Sequence, residues 1–254
     1  MPEGRSLRAG IVPMSAAVMT DRRATEASPR IKARIAAILY LLEGAPAVFQ
    51  QSVIAGLIVT GDAAATATNV LGHDPLFRLW FAAALLAVAC HIAYTVLFYD
   101  LFKVVNRSVA LVAAAVSLVA CALQAFAALF QLAPLLVLGG GSSSGAFTQG
   151  EAQTLALLFL NLHTQAFNIY LIFFGFWLIP TGYLILRSTF FPRLIGVLLM
   201  LDGLGWVMFL WPPLATAVYP VISVAAALGE IPLVLWLLVV GVNEQRWKEQ
   251  ASKS

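Results

Sequence analysis

The chain is short of charge. Asp, Glu, Lys and Arg make up 11% of the 254 residues and hydrophobic residues 61%, whereas soluble domains are about one-quarter charged and about half apolar. A water-soluble fold cannot hide so much apolar surface. The only two cysteines, Cys90 and Cys121, lie within apolar runs, where they behave as small buried hydrophobes and not as a disulfide. The composition therefore excludes a soluble or disulfide-based fold.

Recognisable catalytic motifs are also missing. P-loop, HExxH, CxxC and CxxCH patterns do not occur in the sequence, and the one GxSxG match, at residues 141–145, belongs to the run GGGSSSG, which has the composition of a flexible linker. Although the net charge is +3, the basic residues are not gathered on one face, as they are in proteins that bind nucleic acid. We assign no catalytic residue and expect no cofactor and no nucleic-acid partner.

Long apolar runs are what the chain has in quantity. Crossing a hydrocarbon core about 30 Å thick takes about 20 helical residues, and six runs reach that length. We predict an all-α integral membrane bundle of six transmembrane helices, spanning residues 34–59, 75–102, 108–138, 155–186, 192–211 and 220–242.

The basic residues set the orientation of this bundle. Fourteen of the 15 Lys and Arg residues fall before, after or between the predicted spans on one side, and only Arg78 falls on the other. Positive residues stay in the cytoplasm, so both termini are predicted to be cytoplasmic. We expect a disordered N-terminal tail (residues 1–33), a transmembrane domain (34–242) and a C-terminal tail (243–254).

Helix-capping patterns refine several boundaries. Asp62 is placed to cap a short helix in the outer loop, and Asp74 with Pro75 can open the second span. Thr148 and Glu151 have the spacing of a capping box. A helix from there to residue 187 is longer than a bilayer requires, so it must tilt, protrude or bend.

Four ionisable residues fall deep within the predicted spans: Glu43, His91, Asp202 and Glu230. Counted inward at 1.5 Å per residue, the acids lie roughly 13 to 15 Å from a membrane face, near the midplane, and His91 lies at the midplane or somewhat below it. Ionisable groups at that depth cost about 2.5 to 3.5 kcal/mol each on insertion scales, so they mark functional sites by default. They form our candidate polar midplane site.

Two interpretations of this cluster are open. It can share protons or contribute ligands to a metal, although no two of its members share a helix, so no metal-binding motif supports a metal. Alternatively, neutral acids form hydrogen bonds between helices, which stabilise membrane bundles by about 0.6 kcal/mol per pair. A haem between His91 and His163 is a further, weaker option.

Polar residues at helical spacing accompany the cluster. Glu43 and Gln50 are seven residues apart in the first span, and Gln124 belongs to a seven-residue series in the third. Such spacings place side chains on one helix face. We predict that this face lines a cavity, with Gln50, Gln124, Asn161, Gln165 and Asn168 as its candidate lining, although amide side chains also join membrane helices.

Four segments resemble those of an uncharacterised bacterial family, DUF4386. They are RIAAILYLL (34–42), LIVTGDAAATATNVL (57–71) with LFRL after it, LLFLNLH (157–163) and RSTFFPRLIGVLL (187–199). The resemblance spans about residues 31–243. It implies a multi-pass protein of the bacterial inner membrane and supplies no activity, substrate or site residue.

The leading functional hypothesis is a non-enzymatic protein of the inner membrane, either a small transporter-like bundle or an accessory subunit. Its expected partners are the lipid bilayer and, beyond it, a membrane protein or a second copy of the chain; the small-molecule ligand is open. The alternative is an intramembrane enzyme or a metal- or haem-binding protein that uses His91 and the buried acids.

Overall fold

The structure, a computed structural model, describes residues 27–140 and 147–253. This part of the chain is all α-helical and contains no strand. We number its helices α1 (Pro29–Phe49), α2 (Ala63–Gly72), α3 (Asp74–Phe102), α4 (Arg107–Gly140), α5 (Gln149–Arg187), α6 (Arg193–Val207), α7 (Pro212–Val239) and α8 (Glu244–Ala251). A π-helical turn (Gln50–Ile54) and a 3-10 turn (Ala55–Leu57) continue α1, and a second 3-10 turn (Met208–Leu210) continues α6.

Five of these helices are long and apolar enough to cross a membrane: α3, α4, α5, α6 with its 3-10 turn, and α7. Their outward faces carry exposed large hydrophobic residues, such as Leu86, Leu111 and Val221. Because such surfaces are stable in lipid and not in water, the chain has the build of a multi-pass membrane protein. The first predicted span coincides with α1, which is more highly charged because Arg30, Lys32, Arg34 and Glu43 lie on it.

The helices form a closed ring. In ring order, α1 packs against α3, α3 against α4, α4 against α5, α5 against α6, α6 against α7, and α7 against α1. The short helix α2 packs mainly on α5, with Thr66, Ala67 and Val70 buried. Helix α1 therefore occupies one of six positions around a common interior.

Most of the predicted helix starts are confirmed. Thr148 and Glu151 make the reciprocal bonds of a capping box at the start of α5, which runs for 39 residues. The Asp62 side chain accepts a hydrogen bond from the backbone of Ala65 and opens α2, while α3 begins at Asp74. The start of the last span at Pro220 is wrong: α7 begins at Pro212 and contains Pro220, since proline is tolerated within membrane helices.

Glycines bring α5 and α6 into backbone contact. A Cβ built on Gly175 would stand 2.6 Å from the carbonyl oxygen of Gly203, and one on Gly182 would stand 2.6 Å from that of Gly196. The two glycines on each helix are seven residues apart, so they fall on one face. Small residues of this kind let membrane helices approach closely, and here they define one wall of the ring.

The structure differs from the predicted terminal tails in two respects. Helix α1 begins at Pro29, inside the predicted disordered tail, and residues 1–26 of that tail lie outside the described residues. The C-terminal segment forms helix α8, which docks on the bundle: Trp247 Nε1 donates to the backbone oxygen of Leu101 at 2.9 Å, and the Thr189 backbone N–H donates to Gln250 Oε1 at 3.0 Å. These contacts tie α8 to the α3 and α5 ends.

Candidate functional site

A cavity of about 620 Å³ lies inside the ring. Its described polar lining comprises Glu43, Gln50, Gln124, Gln131, His163, Thr164, Asn168, Tyr170, Thr216 and Glu230. Tryptophan, tyrosine and phenylalanine side chains form much of the remaining wall. The volume is that of an ordinary small-molecule site, for which about 300 to 1,000 Å³ is typical.

Glu43 is the most extensively bonded acid of the cavity. Its Oε1 accepts hydrogen bonds from Tyr170 Oη at 2.9 Å and from Gln124 Nε2 at 3.1 Å. Helix α1 supplies the acid, α5 the tyrosine and α4 the amide, so three ring positions meet at one carboxyl oxygen. Within residues 27–140 and 147–253, Oε2 accepts no hydrogen bond.

His91 faces the same carboxyl, and its hydrogen bonds define its tautomer. Thr95 Oγ1 donates to the backbone oxygen of His91 at 2.8 Å, so the 2.6 Å contact between Thr95 and Ser117 must use the Ser117 hydrogen. Ser117 Oγ then accepts from His91 Nε2 at 3.0 Å. Nδ1 carries the lone pair, lies 3.7 Å from Glu43 Oε1 and has no hydrogen-bond partner in the described part of the chain.

Glu230 reaches the cavity from α7. Tyr40 Oη donates to Glu230 Oε2 at 2.8 Å, and the Tyr40 ring packs on Tyr94 with centroids 5.2 Å apart. Tyr94 in turn stacks on His91 at 4.6 Å. Two buried tyrosines thus connect Glu230 to the His91–Glu43 pair.

Asp202 lies outside the cavity wall. It is completely buried, and neither carboxyl oxygen has a hydrogen-bond partner among the residues described. A Cβ on Gly229 would stand 3.1 Å from Asp202 Oδ2, which places this acid directly against α7 beside Glu230. Of the four predicted midplane residues, Glu43 and Glu230 line the cavity, His91 contacts Glu43, and Asp202 packs behind Glu230.

The five candidate lining residues divide in the same way. Gln50, Gln124 and Asn168 line the cavity. Asn161 and Gln165, although four residues apart on the same helix as Asn168, are exposed on the outside of α5. Helical spacing groups residues onto a face but does not say which way that face points, and the inward face of α5 instead runs through His163, Phe167, Tyr170 and Phe174.

A comparison with known families identifies the chain. The model of the domain of unknown function DUF4386 matches residues 35–241. The chain belongs to this family. The resemblance seen in the four sequence segments is therefore confirmed. No curated protein and no solved structure matches the chain.

Sequence reasoning missed several residues that build the site in this DUF4386 protein. His163, named above only as a possible haem ligand, is 2% exposed, donates from Nδ1 to the Ala127 backbone oxygen at 3.0 Å and packs edge-on against Trp80. Tyr40 and Tyr170, which bind the two acids, were not singled out. Only their spacing could have identified them: each tyrosine lies three or four residues, about one helical turn, from a cavity residue of its own helix.

The chemistry of the site does not favour a bound metal. Among the described residues of the DUF4386 domain, no group of three or more His, Cys, Asp and Glu side chains is arranged to hold a metal ion. His91 Nδ1 and Glu43 Oε1 lie 3.7 Å apart, but in the described part of the chain no third such side chain joins them, whereas a zinc site takes at least three protein ligands. The acids instead meet hydroxyl and amide donors.

The cavity occupies only one half of the bundle. Beyond His91, toward the end of α3, the interior is filled by aromatic rings: Phe98 packs on Trp177 with centroids 5.6 Å apart, and Phe102 on Phe190 at 5.9 Å. At the opposite end the lining includes Thr216 and Tyr219, both exposed near the start of α7. The interior is thus filled by packed side chains at one end and lined by exposed residues at the other.

Proposed function

We propose that this protein is a small transporter-like bundle of the bacterial inner membrane, with six spans and both termini in the cytoplasm, that binds a small solute in its midplane cavity. The observation that carries the proposal is the placement of Glu43 and Glu230 on two helices of the ring, both lining one cavity. An accessory subunit needs no such cavity, and buried carboxyls are costly unless they serve a site.

The distribution of charge on α1 supports its role as the sixth span. Arg30, Lys32 and Arg34 lie in its first two turns, at the end where Lys32 pairs with Asp100 at 2.9 Å. Its remaining charge, Glu43, points inward, while Ile38 and Leu42 are exposed as lipid-facing residues would be. The charges therefore lie at one helix end or face the interior, and the ring position of α1 fits a crossing.

The number of spans can be tested with single cysteines. Ala27→Cys and Lys253→Cys lie at the two ends of the described chain, and Thr68→Cys is an exposed position of α2. The native cysteines are buried, so their own labelling should be low. In intact cells, an impermeant maleimide should label only the variant at position 68. If α1 does not cross, positions 27 and 253 lie on opposite sides, and labelling of one alone from outside disproves the six-span topology.

The asymmetry of the interior supports alternating access. The end lined by Thr216 and Tyr219 is the end predicted to face outward, and the aromatic packing of Phe98, Phe102 and Trp177 closes the inward half. A transporter open to one side at a time requires this combination of an accessible half and a closed half around a midplane site.

Transport can be measured in liposomes of phosphatidylethanolamine and phosphatidylglycerol that contain the full chain. Currents on a solid-supported membrane and an internal pH dye should report movement of at least one solute from a panel of amines, amino acids, sugars and carboxylates. Glu43→Gln and Glu230→Gln should abolish the signal, whereas Gln165→Leu, on the exposed face of α5, should keep it. Absence of any signal across the panel, or full activity in both glutamine variants, would refute the transport proposal.

A further inference from the structure

Several acceptor oxygens of the cavity-lining residues lack a hydrogen-bond donor, while one donor of the lining, Trp206 Nε1, also lacks a partner among the described residues. Gln124 donates its amide to Glu43, and its Oε1 is buried with no partner among the described residues. The Gln131 Oε1, on a side chain that is 3% exposed, is also without a donor in that part of the chain. The amide orientation of Gln124 is determined by the bond to Glu43, because a carboxylate can only accept.

The two acids contribute two further acceptor oxygens without a donor. Glu43 Oε1 and Glu230 Oε2 accept bonds from tyrosines, while Glu43 Oε2 and Glu230 Oε1 accept none from the described residues. Since both side chains line the cavity, these oxygens are available to a ligand. Buried polar atoms are normally satisfied, so the free acceptors call for a ligand that brings N–H groups.

The charged and aromatic residues of the cavity limit the class of ligand that can bind there. No Lys or Arg belongs to the described lining, which contains two carboxyls. Aromatic faces from Trp80, Phe167 and Trp206 also line it, and such faces attract cations and cover apolar bodies. An anion would meet two acids and neither a Lys nor an Arg in the described lining.

We propose that the cavity binds a protonated primary amine that carries an apolar or aromatic body, with the ammonium group between Glu43 and Glu230. This inference deepens the transporter proposal and depends on the same cavity. It assigns a ligand class, whereas the transport proposal assigns movement across the membrane.

Four probes of similar size and shape differ in their charge and in whether they carry N–H donors. 2-Phenylethylamine is a cation with N–H donors, trimethyl(2-phenylethyl)ammonium a cation without them, 2-phenylethanol neutral and 3-phenylpropanoate an anion. Binding to the full chain in detergent can be followed by tryptophan fluorescence, because Trp80 and Trp206 line the cavity, and checked by calorimetry. We expect saturable binding of 2-phenylethylamine, on the order of tenfold or more tighter than 2-phenylethanol, with the trimethyl cation weaker than the primary amine.

Variants test the location of the ammonium group. Glu43→Gln and Glu230→Gln should each weaken amine binding by about tenfold or more. Asn168→Leu should also weaken it, because Asn168 lines the same cavity. Gln165→Leu, exposed on the same helix, should bind as the wild type does. The wild-type comparison of the four probes requires no variant, so it remains decisive if a variant fails to fold.

The outcomes separate the two proposals. If 2-phenylethanol or 3-phenylpropanoate binds as tightly as the amine, or no probe binds, the amine inference is wrong, while transport of another solute would leave the transporter proposal intact. Amine binding that survives in the Glu43→Gln/Glu230→Gln double variant also overturns the inference. Tight amine binding without flux in liposomes would support the inference and refute transport.

Discussion

Gly182 of α5 and Gly196 of α6 face each other so closely that the carbonyl oxygen of each occupies the space a Cβ on the other would need. A Cβ on Gly182 would stand 2.6 Å from the Gly196 oxygen, and one on Gly196 would stand 2.5 Å from the Gly182 oxygen. Real Cβ atoms do not approach a backbone oxygen so closely, so the two helices must move apart if either glycine is replaced.

Gly182→Ala should therefore destabilise the protein. The obstructing atoms belong to the backbone and cannot rotate away, so overpacking is expected to cost about 1 to 3 kcal/mol. Thermal unfolding of the purified protein in detergent measures the loss. Gly150→Ala is the matched control on the same helix, because its Cβ would meet nothing within 4 Å; that variant should be as stable as the wild type or more so. Equal unfolding temperatures for the two variants would contradict the close contact.

Tyr170→Phe should destabilise the bundle by about 1.5 to 3 kcal/mol, the usual value for a hydrogen bond to a charged group. The substitution removes the hydroxyl that donates to Glu43 Oε1 at 2.9 Å and leaves the ring in place. Tyr183→Phe, an exposed position of the same helix, provides the control. A Tyr170→Phe protein that melts with the wild type would show that this hydroxyl does not hold Glu43.

The two buried histidines should adopt opposite tautomers. His91 must carry its hydrogen on Nε2 to donate to Ser117, and His163 must carry one on Nδ1 to donate to the backbone oxygen of Ala127. Nitrogen NMR of histidine-labelled protein distinguishes the two forms, with His91→Gln and His163→Gln assigning the signals. A hydrogen on Nδ1 alone at His91 would contradict the hydrogen-bond chain through Thr95 and Ser117, and one on Nε2 alone at His163 would contradict the bond to Ala127.

Trp247→Phe should loosen helix α8 from the bundle. The ring survives, but the bond from Nε1 to the Leu101 backbone oxygen is lost. A typical hydrogen bond contributes about 0.5 to 1.5 kcal/mol, so amide exchange in α8 should become roughly two- to tenfold faster. Hydrogen exchange with mass spectrometry measures the rate, and Gln245→Ala, whose side chain bonds only within α8, serves as control. Unchanged amide exchange in Trp247→Phe would show that this hydrogen bond does not hold α8 on the bundle.

The helices were predictable because a bilayer leaves the backbone few options. A chain in lipid must satisfy its own N–H and C=O groups, so long apolar runs become helices, and capping residues such as Thr148 and Asp62 mark their starts through local bonds. The missed start at Pro212 has the same local origin: proline can open a helix or lie within one, and Pro220 does the latter.

The depth of the site residues stays a prediction made by counting along each span, and the direction of their side chains could not be predicted in this way. Counting along a span places Glu43 and Glu230 near the midplane, because the rise per residue is constant. Rotation about each helix axis depends on packing, and it decides that Asn168 faces the cavity while Gln165 is exposed. The inward turn of His163 and the pairing of Tyr40 with Glu230 depend on contacts between distant segments.

The amino-acid sequence by itself determined an all-α membrane protein, its apolar helices and the position of its buried acids along them, since these properties follow from local composition and from helix geometry. Only the tertiary structure decided that α1 closes a ring, that glycines bring α5 and α6 into contact, and that Glu43 and Glu230 share one cavity while Asp202 lies behind it. These features depend on how helices rotate and pack against one another, which no single helix encodes.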